Sequence, residues 1–115
     1  MTISEILETL DARLLTTGCD CTREVHTACG SDMMSDVLAY VKDQAVLLTG
    51  LNNPQVVRTA DMMDMVCIVF VRGKCPDRML LSLAEERGIA VMTTELTMFT
   101  ACGLLYEKGL RGGVS

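Results

Sequence analysis

At 115 residues, 50% hydrophobic and 22% charged, with a formal charge of −5, the chain has the length of one domain and is too apolar for intrinsic disorder. Its acidic balance excludes nucleic acid as a default partner, because holding a phosphate backbone takes clustered Lys and Arg. The apolar run 66–71 is far short of the roughly 20 residues that span a bilayer, and the start, Met1-Thr2-Ile3-Ser4-Glu5, lacks the basic flank and apolar stretch of a secretory signal, so a cytoplasmic protein is expected.

Ile3, Ile6, Leu7, Leu10 and Leu14 recur at helical spacing, and Thr2 with Glu5 fits a capping box, which predicts a helix over 3–12. Residues 13–16 read as a short strand, followed by a polar turn over 17–21. From residue 24 one pattern repeats: an apolar run, a turn with glycine or a capping residue, then an amphipathic helix. The strand at 24–29 leads through Gly30-Ser31-Asp32 into a helix with Met34, Val37, Leu38 and Val41 inward. The strand at 45–49 leads through Gly50-Leu51-Asn52-Asn53-Pro54 into a helix with Val56, Val57, Ala60 and Met63 inward. The strand at 66–71 meets Arg72-Gly73-Lys74-Cys75-Pro76, then a helix with Leu80, Leu83 and Ala84 inward, stopped by Gly88. The strand at 89–92 meets Thr93-Thr94-Glu95, then a helix with Phe99, Cys102, Gly103 and Tyr106 inward, ending near Gly109. Such alternation means βαβ units and a mostly parallel sheet of roughly four to six strands, covered on both faces. The expected organisation is one domain over 1–109 and a flexible tail over 110–115, which carries Gly112-Gly113.

Parallel strands with right-handed crossovers gather the strand-to-helix loops at one sheet edge, where open α/β folds place ligands. The candidate ligand-binding residues are therefore Ser31, Asp32, Thr49, Gly50, Asn52, Asn53, Arg72, Gly73, Lys74 and Thr94. Two readings of them stand. In one, the glycines let backbone approach a small anion such as a nucleotide or sugar phosphate, helix-start amides favour it, and Arg72 and Lys74 add positive charge. In the other, Gly, Ser, Asp, Asn and Pro are what turns and caps require. Gly73-Lys74 is not a P-loop, since Ile68 stands where the first glycine belongs and Cys75 where Ser or Thr belongs. Neither a dinucleotide Gly-x-Gly-x-x-Gly nor a Gly-x-Ser-x-Gly elbow occurs. The paired carboxylates Glu85-Glu86 and Asp61 with Asp64 fall at polar helix positions and read as solvated. With no nucleophile, base and orienting acid to assemble, the chain is expected not to be an enzyme.

Cys19, Cys21, His26 and Cys29 put four N or S donors within eleven residues, which makes Cys19, Cys21 and Cys29 the candidate ligands for zinc or an iron-sulfur cluster. Against this, strand alternation turns His26 and Cys29 to opposite sides, and no spacing is Cys-x-x-Cys. The main reading is structural thiols with no cofactor, Cys67 lying in a buried strand and Cys102 on an inner helix face. His26 is the one histidine and reads as exposed at a sheet edge or interface. Met33, Met34, Met62, Met63 and Met65 form either a patch where a second subunit docks or core filler in a chain nearly without aromatics.

Three stretches, Ser31-Asp32-Met33-Met34-Ser35-Asp36-Val37-Leu38-Ala39, Leu48-Thr49-Gly50-Leu51-Asn52-Asn53-Pro54-Gln55 and Val69-Phe70-Val71-Arg72-Gly73-Lys74, with Thr93-Thr94 before Met98-Phe99, together resemble a DRTGG domain over about residues 2–109. Asp32, Thr49, Gly50, Arg72 and Gly73 match the letters of that name. The resemblance implies a fold like the N-terminal domain of HPr kinase/phosphorylase: a single three-layer αβα domain with a mixed sheet. It implies a regulatory, dimer-forming module of the kind found beside CBS domains in regulated pyrophosphatases and beside phosphate acetyltransferase domains. Stand-alone relatives similar to this chain occur in the context of iron hydrogenases, which gives the alternative of a metal or redox protein using Cys19, Cys21 and Cys29. The kinase activity of the HPr enzyme lies in its other domain and is not implied. The expected protein is a non-enzymatic regulatory or scaffold module, a homodimer that senses a small anionic ligand at its loop edge and acts on a partner enzyme or regulatory protein.

Overall fold

The computed structural model describes residues 1–39 and 43–112. In chain order the elements are α1 (Ile3–Thr9), β1 (Arg13–Leu14), β2 (Thr27–Gly30), α2 (Met34–Leu38), β3 (Ala45–Thr49), α3 (Gln55–Met62), β4 (Met65–Phe70), α4 (Arg78–Glu86), β5 (Ala90–Thr93) and α5 (Met98–Glu107). The strands form one sheet in the order β1-β5-β4-β3-β2. β2, β3, β4 and β5 run parallel, and β1 pairs antiparallel with β5. This is the expected mixed α/β domain.

Every residue of β3 and β4 is buried. Because strand side chains alternate, Val46, Leu48, Cys67 and Val69 enter one apolar layer and Ala45, Leu47, Ile68 and Phe70 the other. The three parallel crossovers all advance one strand in the same direction, so α2, α3 and α4 lie on a single face, where Val37, Val56, Val57, Ala60, Leu80 and Ala84 pack. The opposite face has no crossover helix of its own. The two ends of the chain cover it: α1 through Ile3 and Ile6, α5 through Ala101 and Leu105.

The first helix is shorter than the apolar spacing suggested. Its capping box is present, with Thr2 Oγ1 accepting from the Glu5 N–H and the Glu5 carboxylate accepting from the Thr2 N–H. It stops at Thr9 because Asp11 takes a positive φ of 49° and turns the chain, so Leu14 lies in β1 rather than on the helix. β2 begins at Thr27, not at 24. Residues 24 and 25 pair with the N-terminus instead, Glu24 bridging Thr2 and the Val25 N–H donating to the Met1 carbonyl. In α2 only Val37 is buried; Leu38 is exposed, Met34 half-buried, and Val41 lies outside the described residues.

The last helix is rotated from its expected phase. Phe99 and Tyr106 are 88% and 60% exposed, Gly103 is exposed and Cys102 half-buried, whereas Ala101 and Leu105 face the sheet. Residues 110–112, expected to be tail, pack onto the domain: Leu110 is buried, and the Ala28 N–H donates to the Arg111 carbonyl at 2.9 Å, extending the sheet past β2. Leu105→Ala is expected to cost about 2–5 kcal/mol of stability in urea denaturation. Met79→Ala, at a position 73% exposed on α4, should stay within about 0.5 kcal/mol.

Candidate functional site

Ligands in open α/β sheets bind where neighbouring strands send their following helices to opposite faces. Here that point falls between β4, followed by α4 on one face, and β5, followed by α5 on the other. The crevice is closed by the chain itself. The Arg72 N–H donates to the Leu96 carbonyl and the Gly73 N–H to the Thr94 carbonyl, each at 2.8 Å. Arg72 and Gly73 take left-handed φ values of 57° and 68° to make this turn. A Cβ on Gly73 would also lie 2.7 Å from Glu95 Oε2, so Glu95, which the sequence reading left out, folds over this turn.

One strand over, Thr49 ends β3 with its hydroxyl fully buried in the loop edge. It donates to Asp32 Oδ1 at 3.1 Å and accepts from the Leu51 N–H. The Gly50 N–H donates to the same Asp32 Oδ1 at 2.6 Å. The second oxygen, Oδ2, faces Arg72 Nη2 at 3.8 Å. The Arg72 guanidinium lies across Gly50, where any Cβ would collide with it. The Asp32, Thr49, Gly50 and Arg72 side chains or amides thus meet at one point, with Gly73 directly behind Arg72.

The other candidates hold the edge rather than face a ligand. Thr94 is buried, its hydroxyl donating to the Leu10 carbonyl at the end of α1. Ser31 Oγ accepts from the Met33 N–H in a local turn. Asn53 accepts from the Gln55 N–H at the start of α3, and Asn52 donates to the Cys75 carbonyl, tying the β3 loop to the β4 loop. Thr93 does the same from β5, donating to the Lys74 carbonyl at 2.7 Å. The Lys74 residue itself is exposed.

The cysteines do not converge. Cys19 and Cys21 pack with the α1 and α5 layer, whereas Cys29 packs with the layer across the sheet. A single metal centre on Cys19, Cys21 and Cys29 therefore has the sheet in its way, and among the described residues no three His, Cys, Asp or Glu side chains come together to hold a metal ion. Burial pushes the Cys67 thiol far above its ordinary range, and burial with the neighbouring Cys29 also raises Cys102. His26 is exposed beside β2, its Nδ1 3.2 Å from Asp43 Oδ2. On the opposite edge of the sheet, Arg23, Gln44, Asp64 and Gly88 line a groove of about 360 Å³ in which Arg87 pairs with Asp61 at 2.9 Å. The expected solvated pair Asp61 and Asp64 thus includes an ion-paired member.

The family pattern described as the DRTGG domain matches residues 5–107. The chain belongs to the DRTGG domain family. Among solved structures, this DRTGG domain is similar to the CBS and DRTGG domains of the regulatory region of Clostridium perfringens pyrophosphatase, a structure complexed with the activator diadenosine tetraphosphate. The TM-score is 0.76 at 19% identity, covering 97% of this chain and 48% of that one. Likeness at this identity establishes the fold, and the chain spans about half the length of that neighbour. No curated protein matches the chain. No helix among the described residues is long and apolar enough to cross a membrane.

Two glycines of the domain are expected to respond differently to a methyl group. Gly73→Ala should lower stability by about 1–2 kcal/mol, because its left-handed backbone is strained for any L side chain. Gly50→Ala pushes only on the flexible end of Arg72, so urea denaturation should show a change within about 0.5 kcal/mol.

Proposed function

We propose that this DRTGG domain is a non-catalytic regulatory module, that two copies associate, and that its loop edge binds a small anion such as a nucleotide or a phosphorylated metabolite. The observation that carries the ligand reading is the convergence of a backbone N–H, a hydroxyl and a guanidinium on one carboxylate, Asp32. Such a donor set is chemically suited to any oxyanion, and it is worth most when charge-assisted. Lys74, exposed two residues along the same loop, supplies a second positive charge. In the neighbour, the DRTGG domain belongs to a regulatory region whose activator is a nucleotide, which supports the same class of role here. Against catalysis stands the content of the edge: its polar groups brace loops, and among the described residues no base is paired with a nucleophile there.

For the dimer, the support is the outer face of α5. Phe99 and Tyr106 stand exposed one to two turns apart, with Gly103 between them and open space beside its Cα. Two such helices crossing antiparallel at Gly103 set each Phe99 near the other copy's Tyr106, since small residues let helix axes approach closely. The reading places the module in the cytoplasm, where its thiols stay reduced, and beside a partner enzyme or regulatory protein that receives the signal. Kinship with the N-terminal domain of HPr kinase/phosphorylase is part of the same reading.

Thermal denaturation with orthophosphate, pyrophosphate, AMP, ADP and ATP tests the ligand. At least one should raise Tm, with the rise lost in Arg72→Ala and reduced in Lys74→Ala; an undiminished rise in Arg72→Ala would put the ligand elsewhere. Native mass spectrometry tests the dimer. At a concentration on the order of 50 μM the wild type should be dimeric and Phe99→Glu monomeric, and a wild type found only as monomer would rule the dimer out.

A further inference from the structure

The three donors that meet at Asp32 are already taken. Asp32 Oδ1 holds both the Gly50 N–H, at 2.6 Å, and the Thr49 hydroxyl, at 3.1 Å, while Oδ2 faces Arg72. Two backbone donors of the switch-point crevice, the Arg72 and Gly73 amides, are spent on the β5 to α5 loop. An incoming phosphoryl oxygen and the Asp32 carboxylate therefore compete for one place, and their like charges forbid sharing it.

We propose that Asp32 is a built-in competitor for the anion, so that ligand entry expels it and loosens the segment that carries it. The inference rests on the anion-binding reading above. The two sides of the contact are held very differently. Thr49 is fully buried at the end of a central strand, and the backbone of Arg72 is pinned by its hydrogen bond to Leu96. Asp32 sits on a segment whose helix has five residues, no side-chain cap and one buried side chain, Val37. Met33 and Leu38 of that segment are 60% and 44% exposed. When the contact breaks, the Thr49 hydroxyl and the Gly50 amide stay and the carboxylate leaves. Displacement then changes the apolar surface that Met33 and Leu38 present, which converts ligand binding into a change a partner can read. An occupied cradle also lowers the apparent affinity by the fraction of time it is closed.

The test uses the full chain and ATP as probe, with affinity read by calorimetry and segment mobility by hydrogen exchange. Asp32→Ala should bind ATP at least about tenfold more tightly than wild type, with Asp32→Asn between them, because the amide keeps an acceptor oxygen but loses the charge. In the wild type, ATP should speed exchange of the amides at 33–38. The Asn variant and the wild-type exchange measurement stand even where Asp32→Ala folds poorly. Equal or weaker ATP binding by the Asp32 variants, alongside Arg72-dependent binding by wild type, overturns the competitor and leaves the anion site standing. If neither wild type nor either Asp32 variant binds ATP or any other anion of the panel, the site itself is overturned.

Discussion

The burial of β3 and β4 on both faces is the constraint from which the rest of the molecule follows. Ten apolar side chains from these two strands leave water, together with the Thr49 side chain, and at about 25 cal/mol per Å² of apolar surface no other feature of the chain contributes as much. Two buried faces require two helical layers, and parallel strands require crossovers. Three crossovers of the same hand stack α2, α3 and α4 on one face, which leaves α1 and α5, from the chain ends, to close the other. The loop edge is a by-product of that arrangement: Asp32, Gly50 and Arg72 come from three separate crossings of the sheet and meet because their strands are neighbours.

This explains which parts of the fold could be read from the residues. Continuous apolar runs at 45–48 and 66–71, too short for a helix and bounded by turn residues, read as central parallel strands, and the strand bounds at 45–49 agree to the residue. Thr49 ends one of these strands and Gly50, Arg72 and Gly73 follow them, so topology alone gathers those four at one edge; Asp32 follows β2, which carries no such run, and joins them through the family resemblance. Elements were misplaced where the local pattern had little contrast. In α5, Ala101, Cys102, Leu104 and Leu105 are all apolar, so period alone does not tell which side faces the sheet. The large side chains Phe99 and Tyr106 stand on the outer face, and Ala101 and Leu105 pack against the sheet. The β2 boundary shifted for a different reason: residues 24 and 25 alternate like a strand, and they do pair, but with the N-terminus. Such a long-range competitor leaves no trace in local periodicity.

The cysteines illustrate how strand parity overrides composition. Cys19, Cys21 and Cys29 are close in sequence, and donor count alone favours a metal. The polypeptide between them enters the sheet, however, and after one crossing the third thiol belongs to the far layer. The same thiols then serve as small apolar fillers, a role consistent with a core built on aliphatic side chains and methionine rather than aromatics.

Within the loop edge, what separates a regulatory site from a structural brace is the unequal anchorage of the two partners. A brace is strongest when both sides are fixed, as in the Thr94 hydroxyl bound to the Leu10 carbonyl, where helix end and strand end are both buried. The Asp32 contact is built otherwise: its donors sit at or just after the two fully buried strands, and its acceptor lies just before a five-residue helix with one buried side chain and no side-chain cap. Two-state elements are drawn from such low-stability segments, because only there can the free energy of binding a small ligand outweigh the native contact. A catalytic site needs the opposite, with every reacting group held by rigid surroundings. On the proposed reading the edge suits a signal more than a reaction, and the movable part of that signal is the stretch from Asp32 to Leu38, beyond the Ser31 N–H that donates to the Leu48 carbonyl of β3.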